Sequence, residues 1–341
     1  MREYQKLVKN ILVHGGYKPN RTGIDTISSF AEYYKVSLLS SFPLLTTKKM
    51  DGYRWDSMIH EFLWYISGQE HIRDLRTKTK IWNSWADEEG RLQTAYGRFW
   101  RRFPNPEKGL DGEVWADENC PWINIEEDGQ KTFDQVKYVL DTLKEIKNNP
   151  EHLRLRRLVI NAWHPGNATL SKLPPCHYTL NFYVRDDRLS CHVTQRSGDV
   201  ALGIPFNLAA YSLVTKTFAQ LTGFKPGYFA HTIIDAHAYC GKGDRGKFYK
   251  ENYKELKRKL MYAIHPEKFL EAKEWIERNA PKENPKENYD HIPGLLLQAS
   301  LSPKKLPKIE IANKPLEELV FEDFKLINYE SHDPLKFAVA V

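Results

Sequence analysis

The sequence predicts a protein that mixes helices and strands, on three observations. Alternating strand patterns recur at about 27–38, 178–184, 188–195 and 228–235. Between them lie amphipathic or wholly apolar stretches of helical length at 1–16, 52–67, 133–147 and 208–221. No dinucleotide-binding unit organises them. Gly241, Gly243 and Gly246 have the right spacing, but Lys242, Asp244 and Arg245 stand where that fold needs apolar, tightly packing residues, so a charged surface turn is expected.

With 341 residues the chain can bury a sizeable core as one large domain or two. Fifty basic against 44 acidic residues leave a net charge of +6, which suits anionic small molecules as well as nucleic acid. Four cysteines without paired spacing, no signal peptide and no long apolar run point to a reducing cytoplasm and to no membrane anchor. Nine Trp, 18 Tyr and 16 Phe offer stacking surfaces for flat ligands.

The first helix carries Tyr4, Leu7, Val8, Ile11 and Leu12 on one face and stops at Gly15-Gly16. The turn Asn20-Arg21-Thr22-Gly23 follows; its arginine either grips a phosphate or is a solvated turn residue. The 52–67 helix is apolar nearly all round yet holds Glu61. Such a carboxylate either pairs with a base elsewhere or keeps its proton for transfer. Aromatics and arginines interleave at 81–85 and 95–101, but Asp87, Glu88 and Glu89 interrupt any basic groove that single-stranded nucleic acid would need. Residues 104–130 read as a polar surface insertion. Arg156 and Arg157 open a strand at 158–163, and residues 247–280 form one or two basic surface helices. The apolar tail, Phe337 to Val341, is expected to dock rather than fray.

The chemistry concentrates at 173–211. Pro174 and Pro175 hold the backbone extended and present Cys176 at the entry of a hairpin whose turn is Arg185-Asp186-Asp187. Hairpin ends are neighbours, so Arg196 at the exit comes close to the thiol. His177, adjacent in a strand, points to the opposite face and cannot serve as its base. Two readings remain for Cys176: an inert core thiol, or a thiolate whose pKa falls beside a guanidinium. A thiolate adds readily to an electron-poor double bond such as carbon 5–carbon 6 of uracil. Arg196 and Ser197, followed by a loop through Asp199, suit a monoester phosphate. Asn207 can donate and accept at once, as the uracil edge requires, whereas an aspartate would better fit cytosine. Cys176-His177 and Cys191-His192 are adjacent pairs without metal-ligand spacing, so no metal is expected.

PPCH at 174–177, QRSGDVALGIPFN at 195–207 and DAHAY at 235–239 resemble the signature segments of the thymidylate synthase family, in that family's order. The resemblance runs from the first helix to the C-terminus as one domain, 1–341, with insertions near 104–130 and 241–305. It implies an α+β fold: a large twisted mixed sheet with helices on one face and a second subunit on the other. It also implies the partners dUMP and 5,10-methylenetetrahydrofolate in a homodimer, with neither nucleic acid nor metal required. Cys176 would be the nucleophile, Glu61 the organiser of proton transfers, and Tyr96 the neighbour of the thiol. Arg21, Arg196 and Ser197 would hold phosphate, joined by Arg156 and Arg157 from the partner. Gln195 and Asn207 would contact the nucleotide, with His237 and Tyr239 at the ribose. Lys48, Trp82, Trp85, Asp199, Leu202, Gly203, Phe206, Tyr239 and Ala340 would line the folate site, the tail closing over it. Three positions depart from the family. Cys240-Gly241 follow Tyr239 in place of an Asn-His pair, Gln93-Thr94-Ala95 replace Gly-Pro-Val, and Ala338 replaces a proline. Two rival readings are a dUMP (less so dCMP) hydroxymethylase of the same superfamily and, from another class, a nucleic-acid-binding module in which Cys176 is dispensable.

Overall fold

The computed structural model describes residues 2–93, 95–105, 119–284 and 287–339. Helix α1 (Arg2–His14) buries the expected face and ends where Gly15 passes the Ile11 carbonyl too closely for any side chain. Strands β1 (Gly16–Lys18) and β2 (Ile24–Ser37) follow. Helix α2 (Tyr53–Ser67) closes on Gly68 in the left-handed conformation that favours glycine as a C-cap. Then come α3 (Tyr96–Arg101), β3 (Phe103–Pro104), β4 (Ile123–Ile125), β5 (Lys131–Phe133) and α4 (Gln135–Asn148), the last capped by Asp134 accepting from the Lys137 amide. The expected insertion at 104–130 is thus partly structured: β3, β5 and β4 form a small antiparallel sheet, because Phe133, Thr132 and Lys131 give their neighbours backbone partners. Its centre lies outside the described residues.

Strand β6 (Val159–Asn161) and helix α5 (Pro165–Leu170) lead to β7 (His177–Arg185) and β8 (Arg188–Asp199). Arg185 pairs with Arg188, so the turn is two residues long, with Asp186 and Asp187 both at positive φ (50° and 59°). Short polar side chains tolerate that conformation, and its twist suits a hairpin. Helix α6 (Gly203–Leu221) and strand β9 (Lys225–Lys242) complete the main sheet. Its order is β1-β2-β9-β8-β7-β6, antiparallel except for β8 against β9. That parallel pair explains one correction. The expected loop at 197–199 is strand, because Ser197, Gly198 and Asp199 pair with Asp235, Ala236 and His237 after the hairpin partner has ended. α6 also begins earlier than expected, Pro205 being tolerated in a first turn whose amides lack intrahelical partners.

Leu189, Cys191 and Val193 of β8 are buried on the face against which α6 packs. The opposite face carries exposed Tyr33, Tyr183 and Tyr228, with Phe30 84% exposed near one edge. Helices α7 (Asp244–Met261), α8 (Pro266–Asn279) and α9 (Ile292–Ser300) follow, then the ribbon β10 (Lys308–Ile311) and β11 (Phe324–Ile327). The turn at 241–246 is not merely a charged surface turn. Arg245 points inward and pairs with buried Asp290 at 2.6 Å, with the Tyr249 hydroxyl donating to the same carboxylate at 2.7 Å. Among the described residues no helix is long and apolar enough to cross a membrane.

Candidate active site

The hairpin delivers what its pattern promised. The Arg196 amide donates to the Cys176 carbonyl at 2.8 Å, and its guanidinium donates to the carbonyls of Pro174 (2.7 Å) and Pro175 (3.0 Å). Those two bonds aim Nη2 at the Cys176 sulfur, 3.6 Å away. Tyr96, at the start of α3, accepts from the Cys176 amide at 2.7 Å. The guanidinium does favour the thiolate, but it does not set the net direction. Burial pushes Cys176 up, and the opposing charges of Arg196 and Arg21 only partly offset it. The resting sulfur is a thiol beside two cations that favour its ionised form.

His177 lies behind, stacked on Tyr96 with ring centres 4.2 Å apart and hydrogen-bonded to Tyr211. Burial lowers its pKa to about 3, so it is neutral and faces away from the sulfur, as strand alternation requires.

Glu61 is buried, and among the described residues no basic side chain pairs with it. Trp82 donates its indole N–H to Oε1 at 2.7 Å, and burial raises the carboxyl to about 7, despite hydrogen bonds from Tyr65 and Trp82 that lower it. Trp82 also meets Tyr96 and Trp85 edge to face, both with ring centres 5.8 Å apart. Glu61, Trp82, Tyr96 and Cys176 thus form one connected wall.

A second wall rises from the end of β8. Asp199 accepts from the Ala201 amide at 2.8 Å, and the imidazole of buried His291 lies 3.7 Å away. Burial pushes this carboxyl up, but His291 and His237 outweigh it and leave Asp199 below its usual range. Lys48 is 2% exposed and donates to the Ala201 carbonyl at 2.5 Å. Burial lowers it to about 7 against the favourable charge of Asp199. Leu202, Gly203, Phe206 and Asn207 cluster at the start of α6 and stay partly exposed. Gln195 is buried, donating to the Ser197 carbonyl at 2.8 Å, its own Oε1 unpartnered among the described residues.

Arg21 sits in the turn before β2, and Asn20 beside it hydrogen-bonds Tyr239. His237 lies edge to face with Tyr239 and near Asp235 at 3.6 Å. Arg156 and Arg157 are exposed and stand apart; Arg156 borders a depression of roughly 630 Å3 on the open sheet face, beside Tyr183 and Tyr228. Ala340 lies outside the described residues. Among the described residues no group of three or more His, Cys, Asp or Glu side chains could hold a metal ion.

His291, Asn20 and Tyr65 escaped the sequence reading. Asp290 and His291 return to Tyr239 from beyond the segment 241–289. Cys240 bridges to Asp290, and the His291 amide donates to the Tyr239 carbonyl at 3.0 Å. The segment between Cys240 and Asp290 therefore leaves and rejoins the sheet at one point.

A family model described as thymidylate synthase matches residues 2–341. Thymidylate synthase from Haloferax volcanii is 55% identical over 335 residues, covering 98% of this chain and 95% of that protein. The chain belongs to the thymidylate synthase family.

Proposed function

We propose that the protein is a methyltransferase that converts dUMP to dTMP with 5,10-methylenetetrahydrofolate, releasing dihydrofolate. The observation that carries this reading is the Arg196 guanidinium held 3.6 Å from the Cys176 sulfur by the two proline carbonyls. A cation fixed there has its largest effect when negative charge develops on sulfur. Cys176 gives up its proton to water and adds as the thiolate to carbon 6 of the pyrimidine; the carbon 5–carbon 6 π pair moves toward the carbon 4 carbonyl, making carbon 5 an enolate-like nucleophile. Tyr96 fixes the cysteine backbone during that addition. Glu61, near its midpoint at neutral pH, takes up and returns protons at the pyrimidine through water.

Asn207 reads the uracil edge, Gln195 supports it, and His237 with Tyr239 meets the ribose. Arg21, Arg196 and Ser197 hold the phosphate. The folate, when bound, supplies a one-carbon unit and then a hydride. The second wall fits it: Trp82, Trp85, Leu202 and Phe206 offer flat apolar surface, and Gly203 lets a ring approach. Asp199, kept ionised, accepts hydrogen bonds from a pterin edge. Lys48 and the tail residue Phe337 close the far side and exclude water.

The whole chain, 1–341, works as one cytoplasmic domain and dimerises through the open sheet face. Exposed Tyr33, Tyr183 and Tyr228 there need a cover, and a second copy would carry Arg156 and Arg157 to this subunit's phosphate site. Sedimentation showing only monomer would remove that part. Family membership does not favour a hydroxymethylase, in which water captures the one-carbon unit.

Mixing the protein with dUMP and methylenetetrahydrofolate should raise the dihydrofolate absorbance only when both are present. Cys176→Ser should fold and lose at least about 10³-fold in rate. Folate consumption without dihydrofolate would instead indicate the hydroxymethylase, and undiminished turnover in Cys176→Ser would refute the thiolate mechanism.

A further inference from the structure

The inserted segment 241–289 has no part in the chemistry above, yet its last turn touches the C-terminal tail. The Asn288 side chain donates to the Lys336 carbonyl at 2.9 Å, and the Asn288 carbonyl accepts from the Ala338 amide at 3.3 Å. His291, immediately after the insertion, hydrogen-bonds the Ala338 carbonyl at 3.0 Å. Three polar contacts therefore bracket Phe337, whose ring packs on His291 at 5.0 Å and lies under the Lys48 ammonium at 5.3 Å. Gly294 leaves the room for that ring; a Cβ there would fall 2.6 Å from it. Asn288 adopts positive φ (41°), which asparagine tolerates better than most residues.

The clasp is itself anchored. Glu283 accepts from the Tyr289 and Asp290 amides, Lys242 pairs with Glu287 at 2.7 Å, and Arg245 holds Asp290. The tail is pinned independently upstream, where the Tyr329 hydroxyl donates to the Leu45 carbonyl at 2.7 Å and the His332 amide to the Thr46 carbonyl at 2.9 Å. At the downstream fixing Phe337 meets the wall formed by Lys48 and Asp199, Lys48 directly and Asp199 through His291.

We propose that the insertion is a clasp for the C-terminal strap, with Asn288 as a positioning residue that acts on the folate site through Lys336–Ala338. The inference rests on the reading of that wall as the folate site. Asn288 is exposed, so its replacement leaves the core intact.

The test pairs a physical readout with a kinetic one. Asn288→Gly keeps the positive φ and the backbone acceptor but removes the side-chain donor. Hydrogen exchange at the 336–339 amides should quicken about 5-fold, the loss of roughly one hydrogen bond, while α7 and α8 amides stay unchanged. Asn288→Asp, which sets a carboxylate against the Lys336 carbonyl, should quicken it further. In steady state the KM for methylenetetrahydrofolate should rise by a similar factor with kcat changed less than about 2-fold. In a Phe337→Ala background, where the strap is already loose, Asn288→Gly should add nothing. Unchanged tail exchange in Asn288→Gly overturns the clasp whatever the enzyme does. Faster exchange with no change in folate KM overturns its link to the site. Faster exchange in a protein whose wild type never turns over keeps the clasp and refutes the activity instead.

Discussion

The two walls of the site each draw a carboxylate away from solvent, Glu61 almost fully and Asp199 in large part, and they drive it in opposite directions. Around Glu61 the neighbours are neutral: an indole N–H, a tyrosine hydroxyl and apolar surface, so burial wins and the acid titrates at about 7. Around Asp199 the neighbours are His291, His237 and a backbone amide, with Lys48 nearby, and the acid stays below its usual range. Burial is common to both; the available partners decide the sign. One wall thus holds a group that exchanges protons at neutral pH, and the other a fixed charge that can only accept hydrogen bonds.

Exchanging each acid for its amide is the most forceful way to break this comparison. Glu61→Gln keeps the Trp82 hydrogen bond within reach but removes the exchangeable proton, so kcat should fall about 10²- to 10⁴-fold with little change in dUMP binding. Asp199→Asn removes a charge that no step transfers. It should lower kcat/KM for the folate by about 10- to 10²-fold while the pH profile of kcat keeps its shape. Steady-state kinetics from pH 5.5 to 9 separate the two. If Asp199→Asn erased the limb near pH 7 and Glu61→Gln left it intact, the assignment of the walls would be reversed.

The difference between the walls also measures what a sequence discloses. The hairpin was legible because its causes are local: strand alternation, two prolines before Cys176 and a polar turn. Four other features depend on distant chain. The surroundings of Glu61 depend on Trp82, brought in from another segment. The rise in the Cys176 pKa was missed because desolvation comes from the whole fold, whereas Arg196 is visible beside it. Residues 197–199 looked like a loop because their partner strand lies about forty residues further on. His291 was hidden by the insertion, which separates it from the Tyr239 carbonyl in sequence but not in space.

A finer test leaves both acids in place and changes only a partner. Trp82→Phe keeps an aromatic ring on Tyr96 and Trp85 but removes the donor to Glu61. A hydrogen bond to a charged group contributes about 1.5–3 kcal/mol, so the acid should become weaker still. The limb of kcat assigned to Glu61 should move to higher pH by about one to two units. A limb that stayed in place would mean that the indole bond is not what tempers this carboxyl.

The smallest effect is on stability, and its sign follows from the direction of the shift. Glu61 titrates at about 7 when folded and at 4.5 in a free chain. Below pH 4.5 both states carry the proton and stability is undiminished. Between pH 4.5 and 7 the unfolded chain ionises first, so stability falls as pH rises, and above 7 the loss is complete. The full loss is on the order of 3 kcal/mol, equivalent to roughly 4 °C in a chain of this size. Glutamine does not titrate. The Tm of Glu61→Gln relative to wild type should therefore climb by about that amount between pH 4.5 and 8, then level off. Asp199→Asn should show no such climb, because its carboxyl is held low and ionised across the whole window. Parallel Tm curves for Glu61→Gln and wild type would mean that the carboxyl is satisfied as an anion, and the contrast between the two walls would be lost.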